Sequence, residues 1–349
     1  MANPIPSLTA GSTRLAYVDY AKGIGIILVV FGHTLRGLDG RLIEMNHTVW
    51  QSVDIWIYSF HMPLFFYLAG LFVERAVKSR SSGRFVLDRI KVLMYPYFVW
   101  GLLQSSIQIV TPGTRTETSW TQLWRIVYLP PAQYWFLYAL FILSVFYLVA
   151  RRLKLTPLVF AIGSIILFVF GRWMFFGSWI VLHLACGFLI YFALGAWIGS
   201  SAIIQWPLKQ RAEVLAIITG LGFLAVTLMM FVGQNTAFGL TAAICGTLAS
   251  VTLAELASRG GRSFRFLRSW GQLSLEIYVA HTIFSAAVRI LMTRIGIINV
   301  PTHLVVGTLV GLLAPWALAS VCYRMGWYYV FTLLPARMPG VIAAKNTAR

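Results

Sequence analysis

Acidic residues are scarce in this chain. Only ten Asp and Glu stand against 28 Lys and Arg in 349 residues, and charges of both signs make up 11% of the total. An ordinary soluble domain carries about a quarter charged residues, so a fully water-exposed surface is excluded. Cysteine is scarce as well: Cys186, Cys245 and Cys322 all fall inside apolar runs, without CxxC spacing or adjacent histidines. Disulfide and zinc readings lack support, and the three read as packing residues. There is no GxSxG motif and no cysteine-based nucleophile arrangement, no internal repeat and no low-complexity segment. Nor is a cleavable leader visible, because residues 1–23 are polar and the apolar run after them ends without a small-residue cleavage site. The first helix is therefore expected to stay as an anchor.

What is abundant is apolar sequence. Hydrophobic residues make up 59% of the chain, in recurring runs of about 20 residues that suit the bilayer core. The expected fold class is all-α: a polytopic integral membrane protein of about ten transmembrane helices, forming one membrane-embedded domain over 1–349 with its core at 14–330. The first three spans are placed at about 17–38, 52–73 and 91–110, the third kinked by Pro96. The others start near Tyr134, Leu158, Trp179, Val214, Ala237, Gly271 and Leu304.

Charge placement tests that layout, since Lys and Arg accumulate in cytoplasmic loops. With the N-terminus inside, 21 of the 28 basic residues fall in segments assigned to the cytoplasmic side, including all six from Arg75 to Lys91. A miscounted helix would invert every later loop, so both termini, including a short C-terminal tail, are expected in the cytoplasm. The same rule accounts for the net charge of +18 without nucleic acid.

Against this background one stretch stands out, 14–36, RLAYVDYAKGIGIILVVFGHTLR. His33 lies eleven steps after Lys22, which on a helix is about 20° past three turns over a rise of about 16 Å. The two side chains share a face, and Asp19 joins the same stripe near Lys22. On the expected topology Asp19 and Lys22 sit at the cytoplasmic boundary while His33 lies deep, where ionisable groups usually face a cavity and carry function. His61 and His281 reach comparable depth on other helices, with Glu276 five residues before His281. Plainer readings stay open. A buried histidine also serves to bridge helices, Asp19 with Lys22 also reads as an interfacial ion pair, and Arg172 as a snorkelling side chain. Tyr134 and Trp135 also read as interface-belt aromatics, and His47, His183 and His303 carry no specific signal.

The segment DYAKGIGIILVVFGH resembles the first-helix signature of the membrane acyltransferase 3 family, a basic residue, ten residues, then His. Lys in place of the commoner Arg is similar to the fucose acetyltransferase-like branch, and it keeps the charge while losing the bidentate fork. FHMPLFFYLAG around His61, Arg89 followed by MYPYF, YWFL at Tyr134, and SLEIYVAH ending at His281 resemble the family in the same order.

The resemblance implies O-acylation, usually acetylation, of a carbohydrate hydroxyl in a surface polysaccharide or lipid-linked saccharide, with acetyl-CoA as donor, at the bacterial cytoplasmic (inner) membrane. An uncharged imidazole suits removal of the hydroxyl proton, which makes His33 the expected general base. Asp19 is then expected to orient Lys22, and Lys22, Arg89 and Lys91 to hold the phosphates of the donor at the basic mouth. Arg36, one turn beyond His33, is expected to position the acceptor or stabilise an oxyanion. His61, Tyr134, Trp135, Glu276 and His281 are expected as acceptor or cavity contacts. The coenzyme A arm would span the rise from Lys22 to His33. No metal is expected. Gly23, Gly25 and Gly32 would let backbone or ligand approach the first helix, or simply pack helices. Two alternatives remain: a succinyl or small-molecule O-acyltransferase, and a transporter or flippase for a lipid-linked or acidic sugar, although the paired broken helices common in transporters are not evident.

Overall fold

The computed structural model describes residues 16–43, 49–111, 119–171, 179–201, 211–233 and 239–334. Arg14, His47, Arg115, Arg172, Lys209 and the basic residues after 334 lie outside them. Among the described residues the chain is almost entirely helical. Seven segments are long and apolar enough to cross a membrane, and two further apolar helices, over 157–170 and 212–228, are shorter. The chain is a multi-pass membrane protein.

In order, α1 is Ala16–Leu38, α2 is Val49–Gly70, and α3, Val73–Lys78, continues α2 after a two-residue turn. Helix α4, Ser82–Arg89, is capped by the Ser81 side chain and runs through Ile90–Met94 into α5, Tyr95–Val110. Two short 3₁₀ turns, Trp120–Val127 and Ala132–Tyr134, lead into α6, Trp135–Arg152. Then follow α7 (Pro157–Gly171), α8 (Ile180–Ser200), α9 (Ala212–Gly233) and α10 (Gly239–Arg259). The chain closes with α11 (Arg265–Gln272), α12 (Ser274–Arg294) and α13 (Val300–Arg324). Each expected span overlaps a helix, and Ala237, the expected start of the eighth, lies outside the described residues.

The third span departs from the sequence expectation. Its helix begins at Ser82 rather than near Lys91, and the break before Pro96 is a π-turn over Ile90–Met94 rather than a proline kink. Proline offers no N–H and crowds the preceding turn. The ladder widens ahead of it, with the Tyr95 N–H reaching back five residues to the Ile90 carbonyl. The Lys91 carbonyl released by this change accepts the Leu333 N–H at 3.2 Å and the Thr332 hydroxyl at 3.3 Å. Together with Tyr95 Oη to the Tyr329 carbonyl (2.6 Å) and Trp100 Nε1 to the Val330 carbonyl (2.9 Å), these bonds lash the segment after α13 to the third span.

Close helix approach explains the small residues of α1. A Cβ on Gly23 would collide with the Leu267 carbonyl, and one on Gly271 with the Asp19 carbonyl, so α1 and α11 pack backbone to backbone. A Cβ on Gly25 or Gly32 would press on Phe65 or Tyr58 of α2. These glycines seat helices.

Polar contacts join helix ends that the charge pattern assigns to one side. Glu74 of α3 meets Arg151 of α6 at 2.9 Å, and Arg259 of α10 meets Glu213 of α9 at 3.2 Å. At the other ends, Arg36 of α1 holds Asp54 of α2, and Arg289 of α12 donates to the Gly37 carbonyl of α1.

Candidate active site

Two cavities among the described residues bear on the site. The outer one, about 620 Å³, is lined by α1, α2, α5, α12 and α13, with the 3₁₀ turn ahead of α6 and its first residue. The inner one, about 530 Å³, opens among α1, α2, α4, α6 and α12. Tyr278 borders both.

His33 reaches the outer cavity from α1. Its ring centroid lies 5.2 Å from that of His281 on α12 and 6.2 Å from Tyr58 on α2, and the Tyr58 ring stands edge-on to His61 at 4.6 Å. Three imidazoles from three helices therefore converge. His61 and His33 line the cavity, while His281 is fully buried beside His33. Both buried rings are oriented by helix backbone: His61 Nδ1 bonds to the Ile57 carbonyl and His281 Nδ1 to the Tyr278 carbonyl, each at 2.7 Å. A carbonyl only accepts, so Nδ1 carries the hydrogen in both and each Nε2 keeps its lone pair. Both Nε2 atoms are buried without a hydrogen-bond partner.

Arg36 borders the same cavity one turn above His33. Its guanidinium grips both Asp54 oxygens, at 2.7 and 2.8 Å, and covers the Tyr58 ring with Cζ 3.2 Å from the centroid. That fork holds the guanidinium in one plane. The opposite wall is an amide network in which Gln133 Nε2 donates at 2.9 Å to both Gln104 Oε1 and Thr282 Oγ1. Trp135 completes this wall, stacked on Phe188 at 5.3 Å.

The inner cavity has a different chemistry. Lys22, Arg80 and Arg89 enter it beside Asp88, Glu276 and a wall of Phe65, Phe72, Phe85 and Leu140. Arg80 pairs with Asp88 at 3.1 Å, and the Arg89 guanidinium lies 4.9 Å from the Phe85 ring centroid. Asp19 is 3% exposed, accepts a bond from Gln272 Nε2 at 3.1 Å and faces Arg268 at 3.9 Å. Lys22 and His33, on one face of α1, thus open into different cavities.

Several expected residues sit elsewhere. Glu276 borders the inner cavity, where Tyr323 Oη donates to it at 2.6 Å, because one and a half helical turns separate it from His281. Tyr134 is fully buried in the core, its hydroxyl donating to the Val279 carbonyl at 2.7 Å, so it is neither belt nor cavity wall. Lys91 contributes its carbonyl to the C-terminal lashing, and the inner-cavity wall is formed by Arg89 and Val92 on either side of it. His303, which carried no signal in sequence, is buried at the outer cavity with Nε2 bonded to the Ile297 carbonyl at 2.8 Å.

Sequence reasoning also missed Asp54, Tyr58, Gln104, Gln133, Thr282 and Tyr278. Asp54, Tyr58 and His61 repeat at i, i+4 and i+7, a polar stripe on α2 that mirrors the one on α1. Gln104 and Gln133 were visible as amides within or beside apolar runs. Among the described residues no three His, Cys, Asp or Glu side chains group as a metal site.

Comparison with known proteins fits this architecture. No solved structure matches the chain. A 128-residue segment is 32% identical to the nodulation protein NolL of Mesorhizobium japonicum, covering 36% of this chain and 32% of that protein. A 96-residue segment is 37% identical to NolL of Sinorhizobium fredii, covering 27% of this chain and 25% of the relative. These matches span about a third or less of the curated relatives' length. The family model described as an acyltransferase domain, by contrast, matches residues 15–320, nearly the whole helical bundle with both cavities. The chain belongs to the acyltransferase 3 family.

Proposed function

We propose that this protein is a membrane O-acyltransferase that moves an acetyl group from acetyl-CoA to a carbohydrate hydroxyl, on a surface polysaccharide or a lipid-linked saccharide, in the bacterial inner membrane. The observation that carries the reading is the division of α1 between two cavities: Lys22 in the inner one, His33 in the outer one, and Tyr278 bordering both. Family membership supports the reaction class.

The inner cavity suits a long, phosphorylated thioester. Lys22, Arg80 and Arg89 offer cations to phosphate groups, and the phenylalanine wall offers apolar surface to a pantetheine arm. Glu276 and Asp88 limit the net positive charge there, so binding is expected to be of moderate strength. The bound donor supplies the activated acyl carbon.

The outer cavity suits a hydroxylated acceptor. In the proposed reaction His33 takes the proton from the acceptor hydroxyl as its oxygen bonds to the thioester carbon. The carbon–sulfur bond then breaks, and the proton passes from His33 to the departing thiolate. Arg36, held flat by Asp54, is placed to offer N–H groups to negative charge that develops on the carbonyl oxygen. Gln104, Gln133 and Thr282 supply donors and acceptors for sugar hydroxyls, and Trp135 a flat apolar face.

The test is free-thiol release from acetyl-CoA by protein in nanodiscs, with a crude lipid-linked glycan fraction from the host as acceptor. Wild type is expected to release thiol only with acceptor, and a folded His33→Ala variant not at all. Equal release by both would move the base away from His33, and absence of both turnover and acetyl-CoA binding would favour transport, which consumes no thioester.

A further inference from the structure

His281 shares its burial with His61 and His303, and what sets it apart is its contact with the His33 ring. The Tyr278 carbonyl fixes its hydrogen on Nδ1, so its Nε2 is an acceptor with no hydrogen-bond partner, in a place water does not reach. A buried polar atom left unmet is destabilising. Such a group calls for a reason. The neighbour is His33, with ring centroids 5.2 Å apart and planes inclined by 50°. Ring nitrogens lie about 1.1 Å from the centroid of an imidazole, so an N–H···N bond of about 2.9 Å between two such rings puts their centroids about 5 Å apart. The 5.2 Å spacing is within that reach, and the two rings are not hydrogen-bonded in this structure.

A general base of this kind is normally steered by a third group, most often a carboxylate. The nearby carboxylates are committed elsewhere: Asp54 is gripped through both oxygens by Arg36, and Glu276 takes the Tyr323 hydroxyl in the inner cavity. We infer that His281 is the positioning residue of the acyl transfer, accepting the ring N–H of His33 on its own Nε2 so that the second His33 nitrogen faces the acceptor hydroxyl. This inference rests on the acyltransferase reading. His281 itself neither gains nor loses a proton: the hydroxyl proton goes to the cavity-facing nitrogen of His33 and leaves on the thiol, while the His33–His281 hydrogen bond persists throughout and strengthens when His33 is charged.

The pairing is tested with two substitutions whose amides stand in for opposite ends of the imidazole, Asn for Nδ1 and Gln for Nε2. His281→Asn keeps a donor for the Tyr278 carbonyl but places nothing opposite His33. His281→Gln can place its amide oxygen there. Among variants of near wild-type melting temperature, His281→Asn is expected to lower kcat about 100-fold with the KM for acetyl-CoA unchanged. His281→Gln is expected within about tenfold of wild type, and His33→Ala/His281→Asn no slower than His33→Ala alone. Equal losses in the two His281 variants, a loss carried by KM, or additive losses in the double variant would overturn it.

A second readout needs no turnover. In ¹⁵N-histidine NMR of the full chain in nanodiscs, the His281 Nε2 signal, identified by its disappearance in His281→Asn, is expected to be that of an unprotonated nitrogen and to shift in His33→Ala. A protonated Nε2, or one indifferent to His33→Ala, would overturn the pairing. A shift in protein that releases no thiol with any acceptor would leave the pairing standing and remove the acyltransferase reading.

Discussion

The two cavities share α1, α2 and α12 and one tyrosine, yet they are built to opposite chemical ends. The inner one sets Lys22, Arg80 and Arg89 among carboxylates, with Asp88 bonded to Arg80 and Glu276 close by, so its charges partly cancel and its remaining surface is aromatic. Around the outer one His61, His281 and His303 are held in place by backbone carbonyls, and its described lining contains three arginines and no carboxylate. One is suited to hold a charged ligand. The other is suited to move a proton. The difference follows from helix geometry: along α12, Glu276 and His281 are five residues apart, far enough to face different compartments, with Tyr278 between them.

Substitutions that remove one side of this contrast are expected to separate its functions, and the largest effect belongs to the proton-moving side. His33→Ala is expected to cut kcat by about 10²–10⁴-fold while acetyl-CoA still binds, as measured by thiol release and by calorimetric titration. Retained turnover would place the base elsewhere. Next comes the shared wall. Tyr278→Ala removes the ring between the cavities and its bond to the Gln133 carbonyl, and is expected to raise acceptor-independent hydrolysis of acetyl-CoA several-fold while transfer to acceptor falls. If both rates fall together, Tyr278 is not a barrier.

Breaking the Arg36–Asp54 fork should act on the outer side alone. Arg36→Ala leaves Asp54 without its bidentate partner, and a loss of about 1–3 kcal/mol in unfolding free energy is expected, discounted by the 45% exposure of the Arg36 side chain. In the same variant kcat should fall with little change in the KM for acetyl-CoA. On the inner side, Arg89→Ala is expected to raise that KM several-fold at unchanged kcat, with the effect shrinking at high salt. The smallest effect sharpens the comparison: Lys91→Ala keeps the carbonyl that holds Thr332 and Leu333, and its KM is expected to stay within about twofold of wild type.

Much of the fold was legible because runs of apolar residues record the positions of the helices directly. The start of α6 at Trp135 and of α8 at Ile180 lie one residue from the expected positions. The π-turn before Pro96 was not legible, since proline announces a disturbance without stating which way the ladder yields. Nor was α11, an eight-residue helix whose contact with α1 depends on Gly23 and Gly271 meeting across 248 residues of chain. Within the site, the α1 stripe placed Lys22 and His33 correctly on one face. What it left open was the company they keep. Tyr134 looked like a belt aromatic because aromaticity is read from sequence and burial is not, and Glu276 was grouped with His281 because five residues look close in sequence while spanning about 7.5 Å of helix. His303 gave no hint at all, as its burial depends on how α13 packs against the outer end of the bundle.

The central claim is that the donor enters at the basic end and the acyl group leaves from the other. Sealed membrane vesicles of the host, supplied with the lipid-linked glycan fraction, test it with radiolabelled acetyl-CoA, a donor that does not cross lipid. Inverted vesicles, with the basic loops outward, are expected to label their glycan fraction without treatment, and right-side-out vesicles only after permeabilisation. Labelling of intact right-side-out vesicles, lost when they are inverted, would contradict the account.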